Sequence, residues 1–98
     1  MKQNPCNRRS FKGIITSDIL PAERNDSALE FVIKVPRPKE IGKEQYYDFL
    51  RCYACDYQSV QLVKNTLAKG MAVEVKGEVR VWFDKTWRIL VRELKPVF

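Results

Sequence analysis

The 98-residue chain has no histidine and only 3 cysteines, and each shortage closes off a class of chemistry. Without imidazole, general acid–base work falls to carboxylates, lysine or cysteine, and the sequence shows neither paired carboxylates at a useful spacing nor a glycine-rich phosphate loop. Its acids are scattered among lysines and arginines, unlike the clustered acids with which a nuclease holds metal. No enzymatic activity and no cofactor are expected. The odd cysteine count suits a reducing compartment better than a disulfide scaffold. Cys52-x-x-Cys55 has a spacing found in zinc and redox sites, but zinc wants about four ligands and the one further cysteine, Cys6, is distant. On a strand, a separation of three also sends the two side chains to opposite faces. Cys52 therefore reads as a small core residue, and no metal is expected. Long apolar runs are missing as well: no window approaches the roughly 18 residues of a membrane span. The N-terminus, Met1 to Arg9, is polar and lacks the apolar core of a signal peptide, so the expectation is a cytoplasmic protein with no membrane partner.

What the chain does have is positive charge, aromatic residues and short alternating segments. A net charge of +6 favours a polyanionic partner, because each Lys or Arg set beside a phosphate displaces a condensed counterion. Hydrophobic residues at 45% suffice for one core, and the length suits one domain spanning 1–98. Residues 1–9 read as a flexible basic lead-in. A first strand is expected from Ser10 to Thr16, with Phe11, Gly13 and Ile15 on one side and Lys12 and Ile14 on the other. Gly13 in mid-strand marks a bulge or sharp bend. Asp18 to Ser27 is turn-rich. From Leu29 to Val35 a second strand points Leu29, Phe31, Ile33 and Val35 inward, and Pro36-Arg37-Pro38-Lys39 ends it. An exposed basic loop follows to Gln45.

The stretch from Tyr47 to Ala54 organises the rest. Leu50, Cys52 and Ala54 share one face, while Tyr47, Phe49, Arg51 and Tyr53 share the other. A half-buried strand ordinarily turns plain polar residues to water, so a face of three large rings and a cation needs a further reason. Rings beside guanidinium groups are what unstacked bases rest on. The same rings would also suit burial beneath a neighbouring subunit.

From Asp56 to Lys69 the period becomes helical, with Val60, Val63 and Leu67 on one stripe, Asp56 as N-cap and Gly70 as a left-handed C-cap. Ala72 to Phe83 is again a strand, broken by Gly77, and Asp84-Lys85 forms a hairpin tip before a last strand from Thr86 to Leu94. On that strand Trp87 shares a face with Ile89 and Val91 and is expected in the core. Five strands with one helix between the third and fourth describe an all-β OB-fold, a Greek-key barrel that binds oligonucleotides or oligosaccharides. An SH3-like barrel is the chief competitor and lacks a helix at that position.

From about Phe11 to Leu94 the sequence resembles the bacterial single-stranded DNA-binding protein family. Tyr-Asp-Phe-Leu-Arg-Cys at 47–52 resembles its acidic-aromatic strand, in which the position of Phe49 is usually a DNA-stacking Trp or Phe. Leu-Ala-Lys-Gly-Met-Ala-Val-Glu-Val-Lys-Gly-Glu-Val at 67–79 looks like its Lys-Gly turn and valine-rich strand. Lys12-Gly13-Ile14-Ile15 is similar to its opening strand. The resemblance implies binding of single-stranded DNA and a homo-oligomer: a tetramer, or a dimer as in the related primosomal replication protein PriB. The family's fork-serving members carry a long tail with an acidic tip that recruits partners. This chain stops at Lys95-Pro96-Val97-Phe98, so recruitment by such a tail is not expected. The hairpin between the last two strands is also shorter than the family often has, which implies a smaller footprint.

Binding without sequence choice needs stacking platforms and positive charge. The expected platforms are Phe49 and Trp82, assisted by Tyr47 and Tyr53. Alternation places Arg51, Lys34 and Arg80 beside them, and Lys12, Arg37, Lys39 and Lys43 would extend the basic track. Two other readings share the fold: a protein-assembly module with its ring face against protein, and an RNA-binding OB domain.

Overall fold

The computed structural model describes residues 8–22 and 25–97. Where apolar residues fall at every second position the chain is extended. It forms β1 (Arg8–Ile15), β2 (Leu20–Ala22), β3 (Asn25–Pro36), β4 (Tyr47–Ala54), α1 (Tyr57–Thr66), β5 (Ala72–Val81) and β6 (Trp87–Pro96) in that order. The sheet runs β1-β5-β6-β4-β3-β2. It closes on itself because Ile14 and Ile15 of β1 pair with Lys34 and Ile33 of β3. Closure makes β1, β5, β6, β4 and β3 the five staves of a barrel, and β2 is a short sixth strand on the far edge of β3. All pairings are antiparallel except the short β4–β6 seam, where Cys52 faces Ile89 and Tyr53 faces Leu90. This is the expected OB-fold, with its helix between the third and fourth staves in chain order, β4 and β5.

The inward positions fill the barrel as the alternation requires. Ile15, Phe31, Ile33, Val73, Val75 and Val91 are almost wholly removed from water, and α1 adds Val60 and Val63 beneath the barrel wall. Burying each such side chain contributes roughly 1.5–3 kcal/mol, which is why the two-residue period survives along every stave. The helix starts where Asp56 accepts a hydrogen bond from the Ser59 N–H at 2.9 Å, the N-cap expected from the sequence.

Two glycines allow the sheet to curl this tightly. A Cβ on Gly13 would lie 2.5 Å from the Lys34 carbonyl oxygen, and one on Gly77 would lie 2.2 Å from the Leu90 carbonyl oxygen. The register between β5 and β6 shifts beside Gly77, where Arg92 of β6 is the extra residue of a β-bulge opposite the mid-strand glycine.

Several boundaries differ from expectation. Arg8 and Arg9 do not belong to a lead-in; they pair with Glu78 and Gly77 as the first residues of β1. Residues 1–7 and with them Cys6 lie outside the described residues. The turn-rich segment holds the edge strand β2, because Leu20 and Pro21 find partners in Glu30 and Leu29 of β3; residues 23 and 24 lie outside the described residues. α1 ends at Thr66, with Leu67 extended and its N–H still bonded to the Val63 carbonyl. Gly70 (φ 94°) is therefore not the helix cap. It sits in a separate turn, closed by Met71 N–H donating to the Ala68 carbonyl, that hands the chain to β5.

Candidate nucleic-acid interface

The outward face of β3–β4 is set by register. Lys34 pairs with Phe49, Val32 with Arg51 and Glu30 with Tyr53, so these side chains stand in rows on one surface. Phe49 is 63% exposed, Tyr47 and Arg51 are exposed, and Tyr53 is half-buried. At one end, the Lys34 Nζ lies 4.0 Å from the centre of the Tyr47 ring, holding a cation over an aromatic face. Lys12 of β1 joins this end across the closing seam: Lys12, Lys34 and Tyr47 line one cleft of about 360 Å³. A 4.0 Å ion pair to Glu74 holds the exposed Lys12 ammonium only loosely.

The face continues beyond β4. Tyr53 is beside Leu90, Leu90 pairs with Glu78, and Arg80 pairs with Arg88 on the same side of the β5–β6 hairpin. Past the end of β5, Trp82 turns onto this surface and meets Tyr53 edge-on, with ring centres 5.0 Å apart. Arg80, Trp82 and Leu90 line a shallow depression there. Arg80 also pairs with Glu78 at 3.2 Å, and Arg92 holds the same carboxylate at 2.7 Å. Those two guanidinium groups keep the Glu78 carboxyl below its ordinary pKa.

Phe49, Tyr47, Tyr53, Arg51, Lys34, Trp82, Arg80 and Lys12 thus come together as one outer surface. Arg37 and Lys39 do not join its centre. Arg37 bends toward Asp48, which alternates to the other side of β4, and bonds it through Nε at 2.8 Å and Nη2 at 2.7 Å. That carboxylate raises the Arg37 pKa further above its ordinary value. Lys39 stands in the exposed β3–β4 loop with Lys43, whose ammonium pairs with Glu40 at 3.2 Å.

Trp87 corrects the sequence reading. It is 65% exposed, not core, although Ile89 and Val91 on the same face are buried. The hairpin runs past the rim of the barrel, so its inward-phased residues there, Val81 and its cross-strand partner Trp87, have no core to enter. Sequence reasoning also missed two features. Arg88 is buried beneath the Trp82 ring at 5.2 Å and bonded to Glu30 and Asp84. A cleft of about 440 Å³ beside Arg51 is walled by Ser17, Asp18, Leu20 and Pro21. Neither had a local signal, because both depend on pairing between residues distant in the chain.

Cys52 is buried and Cys55 exposed, and desolvation pushes the Cys52 thiol up to about 12. Among the described residues, no three His, Cys, Asp or Glu side chains gather as metal ligands, and no helix is long and apolar enough to cross a membrane.

No family model and no curated protein sequence matches the chain. Solved structures do. The single-stranded DNA-binding protein of Plasmodium falciparum, in complex with single-stranded DNA, superposes with a TM-score of 0.76 at 19% identity over 100% of both chains. The small single-stranded DNA-binding protein of Streptomyces coelicolor gives 0.75 at 15% identity, covering 99% of this chain and 95% of that one. The dimeric N-terminal domain of PriB from Thermoanaerobacter tencongensis gives 0.66 at 16%, covering 94% and 97%. The chain shares its fold with small single-stranded DNA-binding proteins and with the PriB domain.

Proposed function

We propose that this protein binds single-stranded DNA without sequence choice, stacking bases on Phe49, Tyr47, Tyr53 and Trp82 and neutralising phosphates with Arg51, Lys34, Arg80 and Lys12. The observation that carries the reading is the outer surface on which the rings of Tyr47, Phe49, Tyr53 and Trp82 stand with Lys34 and Arg51 between and beside them. Every base has a π-face and every nucleotide a phosphate, so this composition serves any sequence. Arg37 and Lys39 extend the track at its edge, with Arg37 exchanging Asp48 for phosphate only at the cost of a two-point ion pair. The likeness to a single-stranded DNA-binding protein in complex with DNA supports the same reading.

On this reading the protein is a non-enzymatic homo-oligomer, dimer or tetramer, that protects or presents single strands during replication, recombination or repair, in a host or on a mobile element. Titration with dT oligomers of increasing length at two salt concentrations tests it. Expected are quenched tryptophan emission, affinity rising with length until the surface is filled, and a loss of affinity with salt. No binding to any oligonucleotide, together with a stable complex with another protein, would replace the reading with an assembly module of PriB type. Preference for structured RNA would replace it with an RNA-binding one.

A further inference from the structure

Arg88 is 8% exposed, yet its guanidinium reaches three side chains in two parts of the chain. Nη1 donates to Glu30 of β3, Nη2 to Asp84 of the hairpin tip at 3.1 Å, and Nε to the Thr86 hydroxyl at 3.4 Å. The Trp82 ring covers it at 5.2 Å, and Tyr53 meets Trp82 edge-on at 5.0 Å. Two carboxylates against one cation leave this cluster with no positive charge to offer a phosphate. Nor is it a large source of stability, since an ion pair whose carboxylates, Glu30 and Asp84, stay 27% and 38% exposed contributes little net stability after the arginine is desolvated. What it does is geometric. Beyond the barrel rim the inward-phased residues of the hairpin enter no core, Val81 being 56% exposed and Trp87 more so, and Trp82 rests on Tyr53 of the ring face instead. Arg88 spans from that hairpin across β4 to β3, tying the hairpin to the ring face.

We infer that Arg88 is a positioning residue: by tethering the β5–β6 hairpin to Glu30 it presets Trp82 and Tyr53 as a finished platform for a base. The inference rests on the function proposed above for the same surface. A platform held in place before the ligand arrives spares the ordering cost that a loose hairpin would incur on binding.

The test uses the full chain with Trp87→Phe, so that Trp82 is the remaining indole. In the free protein, Arg88→Gln is expected to raise acrylamide quenching of Trp82 while the far-ultraviolet circular dichroism stays that of the parent. With a dT oligomer long enough to saturate binding, Arg88→Gln is expected to weaken affinity about fivefold. The salt slope should be unchanged, and on a Trp82→Ala background the same substitution should add no further loss. Arg88→Lys should recover only part of the effect, because one ammonium cannot span both carboxylates. A salt slope reduced by about one would make Arg88 a phosphate contact and overturn the inference. So would a full, additive loss in the Trp82→Ala background, or unaltered quenching. If Arg88→Gln does not fold, Glu30→Ala removes the acceptor on β3, cuts the same tether and is read in the same way. Should the parent bind no oligonucleotide, the functional reading falls, and the quenching of free Trp82 still decides whether Arg88 sets the ring.

Discussion

Truncating Phe49 to alanine separates a binding surface from a folding surface, because the ring stands 63% exposed in mid-strand while its neighbours Leu50 and Cys52 face the core. Exposed substitutions away from packed features change stability by about 0.5 kcal/mol or less. For a domain of this size that shifts the melting temperature by no more than about 4 °C. Phe31, 2% exposed on the neighbouring strand, provides the contrast: its truncation should cost about 3–5 kcal/mol. On binding the order reverses. One stacked base is worth about 1–3 kcal/mol, so Phe49→Ala should raise the Kd for a dT oligomer roughly 5- to 140-fold. The ring carries no charge, so the slope of log K against log salt should match wild type. Fluorescence titration at two salt concentrations, with thermal unfolding of the same samples, measures all three quantities. An unchanged Kd would refute the placement of the platform even if the protein binds DNA. A melting temperature lowered by ten degrees or more would show that the ring is covered in solution, beneath a second copy for example.

Gly77→Ala should destabilise the fold severely, since its Cβ would lie 2.2 Å from the Leu90 carbonyl oxygen at the bulge; a urea midpoint equal to wild type would contradict the close crossing of β5 and β6. Acid should weaken the protein through Glu78 and Asp84. Hydrogen bonds from Arg92 and Arg80 lower Glu78 from 4.5, and those from Thr86, with the charge of Arg88, lower Asp84 from 3.8. Their contribution is therefore complete above about pH 4.5 and is lost as pH falls through the lowered folded values. Melting temperatures between pH 7 and pH 3 should fall less steeply for a Glu78→Gln, Asp84→Asn double variant; parallel curves would sink the assignment. Iodoacetamide at pH 8, followed by peptide mass spectrometry, should label exposed Cys55 in the folded protein and Cys52 only after denaturation. Equal labelling of the two would mean that Cys52, its thiol raised to about 12 by burial, is not a core residue.

The sequence by itself determined the local order of this protein. The two-residue period assigned Tyr47, Phe49, Arg51 and Tyr53 to one side and Leu50, Cys52 and Ala54 to the other, and the structure keeps that division. Asp56 announced the helix start because a cap is a constraint felt within a few residues, and Gly13 and Gly77 stood out as breaks in the alternation, although the carbonyls that leave no room for a Cβ there, of Lys34 and Leu90, lie on other strands. Tertiary structure decided the rest. Alternation tells which side a residue takes but not whether that side still faces a core: Ile89 and Trp87 share a phase, yet the barrel ends between them. Partners distant in the chain are equally silent in sequence. The burial of Arg88 needs Glu30, 58 residues away, and the departure of Arg37 from the ring face needs Asp48 across the hairpin. Local periodicity is set by backbone geometry, whereas burial and charge pairing are set by closure of the sheet, and closure brings together residues that no short window contains.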